Sequence, residues 1–145
     1  MTVATAESCT GGMVASTLIN VPGASDVFNE GYITYSNEAK RKILGVKKKT
    51  LKNEGAVSEA CAEEMAKGAA KAADARAAIS VTGIAGPDGG TEEKPVGLVY
   101  IGCCIDDKVW VESYHMNGDR QKIREISVKK ALDMLRRHLN HVEQD

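Results

Sequence analysis

The chain is poor in the residues that nucleic-acid, membrane and metal functions require. It has one Trp, one Phe and four Tyr in 145 residues, too few to build stacking platforms for exposed bases. Its charges nearly cancel, 19 Lys and Arg against 20 Asp and Glu for a net of -1. No general attraction to nucleic acid or to acidic membranes follows from that balance. No apolar run approaches the length of a membrane span. Met1-Thr2-Val3-Ala4 lacks the basic-then-apolar pattern of a signal peptide, so a cytoplasmic location is the default expectation. None of the four cysteines forms a Cys-x-x-Cys pair, which argues against a zinc site or a thioredoxin-type motif. The three histidines, His115, His138 and His141, come late in the chain. No carboxylate pattern joins His138 and His141 in a metal site, and both read as surface residues. The phosphate-binding pattern Gly-x-x-x-x-Gly-Lys-Ser/Thr is absent. No metal and no cofactor are expected.

Hydrophobic residues at 43% and charged residues at 27% are ordinary for a globular protein, and 145 residues suit one domain with one sizeable core. Thr2 to Ala6 reads as a short strand, and Gly11 to Ile19 as an apolar helix. Val21-Pro22-Gly23-Ala24-Ser25 is a turn in which Ser25 can cap a short helical piece through Phe28. Gly31 to Tyr35 reads as a strand, and Asn37 to Leu44 as a helix closed by Gly45. Ser58 can cap a long alanine-rich helix to about Ala75. Ala77 to Thr82 is a compact apolar strand. Val96 to Ile105 and Lys108 to His115 are two strands hinged at Asp106-Asp107, like a hairpin. Asn117-Gly118-Asp119 caps a last helix with the apolar stripe Val128, Ala131, Leu132, Leu135 and Leu139. This order predicts an α/β fold: a single three-layer α/β/α sandwich with a mixed sheet over residues 1–145. Cys61, Cys103 and Cys104 read as reduced core thiols, and the last two should face opposite sides of one strand.

Four segments carry chemistry. In Ala6-Glu7-Ser8-Cys9-Thr10-Gly11-Gly12, a hydroxyl sits on a glycine-rich turn from strand to helix. The helix's free N–H groups there could hold an oxyanion or a phosphate; alternatively, Ser8 or Thr10 simply caps the helix. In Tyr35-Ser36-Asn37-Glu38-Ala39-Lys40, a phenol and an amine follow a strand end. With no histidine in a triad context, Lys40 is the candidate base, provided burial lowers its pKa; otherwise it is a solvated lysine beside Arg41 and Lys42. The loop from Thr82 to Gly97 leaves the end of a buried strand, where open α/β sheets bind ligands, and Thr82 could donate a hydrogen bond there. In Gly118-Asp119-Arg120, an arginine occupies a helix's first turn, suited to a phosphate. Lys122, Arg124, Lys129, Lys130, Arg136 and Arg137 read as a solvated face. Cys9 is an alternative nucleophile if the helix end lowers its pKa.

With Gly55-Ala56-Val57-Ser58, Gly83-Ile84-Ala85-Gly86-Pro87-Asp88-Gly89-Gly90 and Lys94-Pro95-Val96-Gly97, these segments resemble the CinA C-terminal domain family. Its members include stand-alone nicotinamide mononucleotide deamidases. The resemblance runs from about Thr2 to Leu139. It implies a compact α/β/α homodimer that hydrolyses the carboxamide of nicotinamide mononucleotide to nicotinic acid mononucleotide and ammonia. It further implies Ser8 as nucleophile, Lys40 as base and Tyr35 as their support. Thr82, Arg120, Gly23 and the turn at Cys9, Thr10 and Gly11 would face the nucleotide substrate. Family members usually carry a helix before the first strand, whereas this chain starts almost at the strand. Loss of that helix would expose one flank of the sheet. Many CinA proteins also carry a separate nucleotide-processing domain, so this chain looks like the stand-alone form. A non-catalytic nucleotide-binding or interaction module of the competence and damage-inducible type is the alternative.

Overall fold

A computed structural model describes residues 1–144. Five strands form one sheet in the order β2-β1-β3-β4-β5: β1 Val3–Glu7, β2 Phe28–Ile33, β3 Ala77–Gly83, β4 Leu98–Ile105 and β5 Lys108–His115. The first three are mutually parallel, and β4 and β5 continue antiparallel. The helices are α1 Met13–Leu18, α2 Asn37–Leu44, α3 Lys48–Asn53, α4 Glu59–Ala73 and α5 Arg120–Gln144.

Alternation along the central strands explains the three layers. Ala77, Ile79 and Val81 of β3 join Val99, Ile101 and Cys103 of β4 in a core with α1 and α5. Ala78 and Cys104 point the other way, into a second core with Leu44 of α2 and Cys61, Met65 and Ala69 of α4. The adjacent thiols Cys103 and Cys104 therefore lie on opposite faces, both reduced and buried. Small residues on this second face, Ala4, Ala6, Ala78 and Gly102, let the alanine-rich α4 lie close to the sheet; a Cβ on Gly102 would meet the Ala62 carbonyl oxygen at 2.6 Å.

Several boundaries differ from the sequence reading. The second strand begins at Phe28 and ends at Ile33, not at Gly31 and Tyr35. It is the sheet's edge, so its polar and glycine positions are tolerated by solvent and conceal the strand pattern. Ser25 caps nothing: the short 3-10 turn Ala24–Asp26 starts from Gly23 in a left-handed conformation, without a side-chain cap. The helix α3, unmarked in the sequence, has no side-chain cap of its own. Glu64 of α4 holds it instead, accepting from Lys47 N at 2.8 Å and Thr50 Oγ1 at 2.7 Å. His138 is half-buried rather than fully on the surface: its ring stacks on Trp110 of β5, with centroids 4.3 Å apart. No described helix is long and apolar enough to cross a membrane.

The topology fixes where a ligand can sit. The connection after β1 leads outward to β2, whereas that after β3 leads the other way to β4. The crevice between the carboxyl ends of β1 and β3 is therefore the switch point of the sheet.

Candidate active site

Ser8 lies at that switch point, one residue beyond β1. Its N–H donates to Val81 O of β3 at 3.0 Å, and its carbonyl accepts from Gly11 N at 3.1 Å, closing a tight turn. Gly11 and Gly12 follow at φ 56 and 103, a left-handed region that side chains disfavour. Neither Ser8 nor Thr10 caps α1. The buried carboxylate of Glu7 does so, accepting from Val14 N at 2.7 Å, Ala15 N at 3.1 Å and the Thr10 hydroxyl at 2.7 Å. Those two helix N–H groups are thus committed and cannot serve an oxyanion. Among the described residues, the backbone N–H of Cys9 donates to no other residue.

Lys40 comes to Ser8 from the other side of the sheet's end. The Ser36 side chain caps α2 by accepting from Ala39 N at 3.1 Å, which places Lys40 one turn in and directs it inward. The lysine is 1% exposed. Its Nζ stands 2.9 Å from Ser8 Oγ, 2.9 Å from Thr34 O and 3.0 Å from Tyr35 O. Burial holds its pKa below the ordinary lysine value, against a smaller opposing pull from the Cys61 and Cys9 thiols. A neutral amine has two hydrogens and one lone pair. With the amine neutral, the two carbonyls would take the hydrogens and leave the lone pair toward the Ser8 hydroxyl, which in the resting arrangement accepts from Lys40 and lies 3.5 Å from Tyr35 O.

Ser8 and Lys40 line a cavity of about 300 Å³ with Cys9, Tyr35, Thr82 and Arg120. Loop residues 83–86, 88 and 89 form its far wall, with Asn37, Ala56 and Val57 closing the remainder. The sequence reading did not single out Asn37 or Asp88; both are polar residues that only the fold brings to this wall. Tyr35 acts differently from expectation. It is 63% exposed, and its phenol accepts from Arg120 at 3.2 Å. Only its backbone carbonyl reaches Lys40. Arg120 also donates to Gly86 O at 2.8 Å, so it spans the cavity mouth from β2's end to the Gly86 loop. Thr82 is buried and donates its hydroxyl hydrogen to Ala56 O at 2.9 Å. It anchors the neighbouring loop and has no hydrogen left for a ligand.

Other expected residues lie outside the cavity walls. Thr10 is buried with its hydroxyl on Glu7, and Gly11 turns the chain at the exposed start of α1. Gly23 sits at the opposite end of the sheet because α1 runs back toward the strands' starts; there it joins Val3, Leu18 and Phe28 around a separate apolar cavity. Cys9 does line the site, but burial pushes its thiol up to about 11, contrary to an activated nucleophile. Arg124 is no member of a solvated face: it is partly buried and donates to Cys9 O at 2.9 Å and Thr10 O at 3.3 Å. No spacing in the sequence signals that contact, which spans over a hundred residues.

Known proteins share this fold. The family model for the CinA C-terminal domain matches residues 1–139. A competence-damage inducible protein of Clostridium perfringens is 65% identical over 143 residues, covering 99% of this chain and 35% of its own length. A CinA-like protein of Kosmotoga olearia is 58% identical over 139 residues, covering 96% of this chain and 34% of its own. The chain thus spans about a third of the length of these relatives. The crystal structure of competence damage-inducible protein A from Klebsiella pneumoniae superposes with a TM-score of 0.93 at 37% identity, over 97% of this chain and 87% of that one. A competence/damage inducible protein from Agrobacterium tumefaciens gives a TM-score of 0.90 at 45% identity, over 93% and 83%. The chain belongs to the CinA C-terminal domain family.

Proposed function

We propose that this domain is a serine amidohydrolase acting on the carboxamide of nicotinamide mononucleotide. The observation that carries this reading is the 2.9 Å approach of the buried Lys40 amine to Ser8 Oγ, with both other amine directions occupied by carbonyls. A lysine that merely formed a core contact would have no reason to aim its remaining position at a cavity-lining hydroxyl. That arrangement also favours an enzyme over a binding module, which the competence and damage-inducible names of the relatives would equally allow.

Neutral Lys40 takes the Ser8 proton as Oγ attacks the amide carbon. The Cys9 N–H receives the developing oxyanion, in the role that the residue after a nucleophile commonly fills. The tetrahedral species collapses with cleavage of the C–N bond. The Lys40 ammonium returns its proton to the departing nitrogen, which leaves as ammonia. Water then attacks the serine ester, with Lys40 again the base, releasing the carboxylate and restoring Ser8. The Tyr35 phenol, turned to Arg120, takes no part in this proton circuit.

The cavity's far side suits the rest of the nucleotide. Arg120 at the mouth offers a guanidinium to a phosphate, and the Asp88 carboxylate on the wall complements a cationic pyridinium ring. Remote contacts of this kind orient the amide for attack. The test is ammonia release from nicotinamide mononucleotide, compared with nicotinamide riboside and free nicotinamide. The reading predicts release that is fastest from the mononucleotide. No release by folded protein, or equal rates on all three, would remove the substrate assignment.

A further inference from the structure

We infer that Arg124 is a positioning residue for the oxyanion site, acting through the backbone carbonyls of Cys9 and Thr10. The inference rests on the proposed serine chemistry. Its observations are independent of the Ser8–Lys40 pair.

The turn from Ser8 to Gly11 has two ends. At one end is the Cys9 N–H, which donates to no other residue among those described. Cys9 lines the cavity, while Thr10 is fully buried. A buried backbone N–H without a partner is rare and calls for an account. At the other end are the carbonyls of Cys9 and Thr10, held by the Arg124 fork at 2.9 and 3.3 Å. In a planar trans peptide the C=O and the next N–H point in opposite directions. Fixing the Thr10 carbonyl therefore fixes the Gly11 N–H, which donates to Ser8 O. The Gly11-to-Ser8 bond fixes the peptide that carries the Cys9 N–H. Rotation of either peptide would turn the Cys9 donor away from the reacting oxygen.

The arginine's partly buried position suits this task. It projects from the first turns of α5, which packs against α1 and the sheet, so the backbone of the nucleophile turn is tied to a rigid element. Glu7 holds the same turn from the helix side through Thr10 Oγ1. Together they clamp the segment from residue 7 to residue 15. A helix dipole is not needed, because Glu7 already occupies the first free N–H groups of α1.

The experiment is steady-state kinetics of Arg124→Met and Arg124→Lys in the intact chain with nicotinamide mononucleotide, each with a pH–rate profile. Loss of one whole oxyanion donor costs roughly 10²–10³-fold in kcat; a misaimed donor should cost roughly 10- to 100-fold. The expected result is that fall in kcat for Arg124→Met, with KM and the pH inflection unchanged. Arg124→Lys, which keeps the charge and one hydrogen bond, should recover part of the loss. Unchanged kcat with a lower melting temperature would make Arg124 a simple anchor and overturn the inference. So would a raised KM at constant kcat, or a shifted inflection, which would mean an effect on binding or on Lys40. If Arg124→Met does not fold, Arg124→Lys decides alone: its kcat must fall below wild type at constant KM and inflection, and a wild-type kcat overturns the proposal. Inactivity of the wild type on every amide would instead reject the underlying serine chemistry.

Discussion

Lys40 Nζ approaches Ser8 Oγ at 2.9 Å while the carbonyls of Thr34 and Tyr35 take its other two contacts. The pairing joins a turn after β1 to a helix that follows β2, through residues 32 positions apart. Burial on this scale disfavours the ammonium form, and only the neutral form can accept a proton from serine.

The pH dependence follows from that direction. Burial lowers the Lys40 pKa below 10.5, so kcat should rise with pH through an inflection below that of an ordinary lysine. Stability should share this inflection. Between the folded and unfolded pKa values the unfolded chain holds the extra proton, so stability rises with pH across that window. The charged buried amine thus costs most below the folded pKa. Lys40→Met should therefore be inactive yet gain stability over wild type as pH falls through the window. Melting curves across that range that stay parallel for the two proteins would contradict a neutral Lys40.

Glu7 supports the same turn through three accepted hydrogen bonds. Glu7→Gln replaces one acceptor oxygen with a donor that must face another donor. The expected loss is about 1–3 kcal/mol of stability, accompanied by a fall in kcat because Ser8 rides on the capped segment. Chemical denaturation and kinetics of the variant check both parts.

Gly68 sets the distance between α4 and the end of α2. A Cβ there would run into the backbone carbonyl of Leu44. Helix propensity alone predicts that Gly68→Ala stabilises by up to about 1 kcal/mol. Crowding against a backbone atom predicts the opposite sign, a loss of about 1–3 kcal/mol. Because α2 carries Lys40, activity should fall as well. A more stable, fully active Gly68→Ala protein would show that α2 shifts freely.

Much of this architecture is legible in the sequence, and the exceptions have physical causes. A compact apolar run marks β3, the Asp106-Asp107 hairpin marks β4 and β5, and Ser36 and Gly45 bracket α2 as caps do. The edge strand β2 is hard to place from sequence because solvent tolerates its polar residues. The helix α3 was missed because its cap comes from Glu64, a residue of another helix. At the site, Ser8 and Lys40 could be named from local motifs, but their contact could not. Gly23 is assigned to the site by the family resemblance, and the short α1 carries it to the far end of the sheet. Arg124 hid among seven basic residues of one helix, since only tertiary packing distinguishes a buried arginine from a solvated one.

Arg120 offers a test of substrate orientation. Its guanidinium bridges Tyr35 and Gly86 over the cavity mouth. Hydrogen bonds to charged groups contribute about 1.5–3 kcal/mol, so Arg120→Ala should raise KM for nicotinamide mononucleotide roughly tenfold or more. The weaker reaction with nicotinamide riboside should be nearly unaffected, because that compound lacks the phosphate. An equal loss on both substrates would remove phosphate recognition from Arg120's role.

The central claim is that Lys40 activates Ser8 for attack on an amide. The most direct measurement is ammonia release from nicotinamide mononucleotide by wild type, Ser8→Ala and Lys40→Ala, each shown to be folded by its far-ultraviolet spectrum. The account predicts release by wild type and loss in both variants, with nicotinic acid mononucleotide formed in equal amount to ammonia. Release that persists in folded Ser8→Ala would contradict it, since the chemistry would then belong to another group.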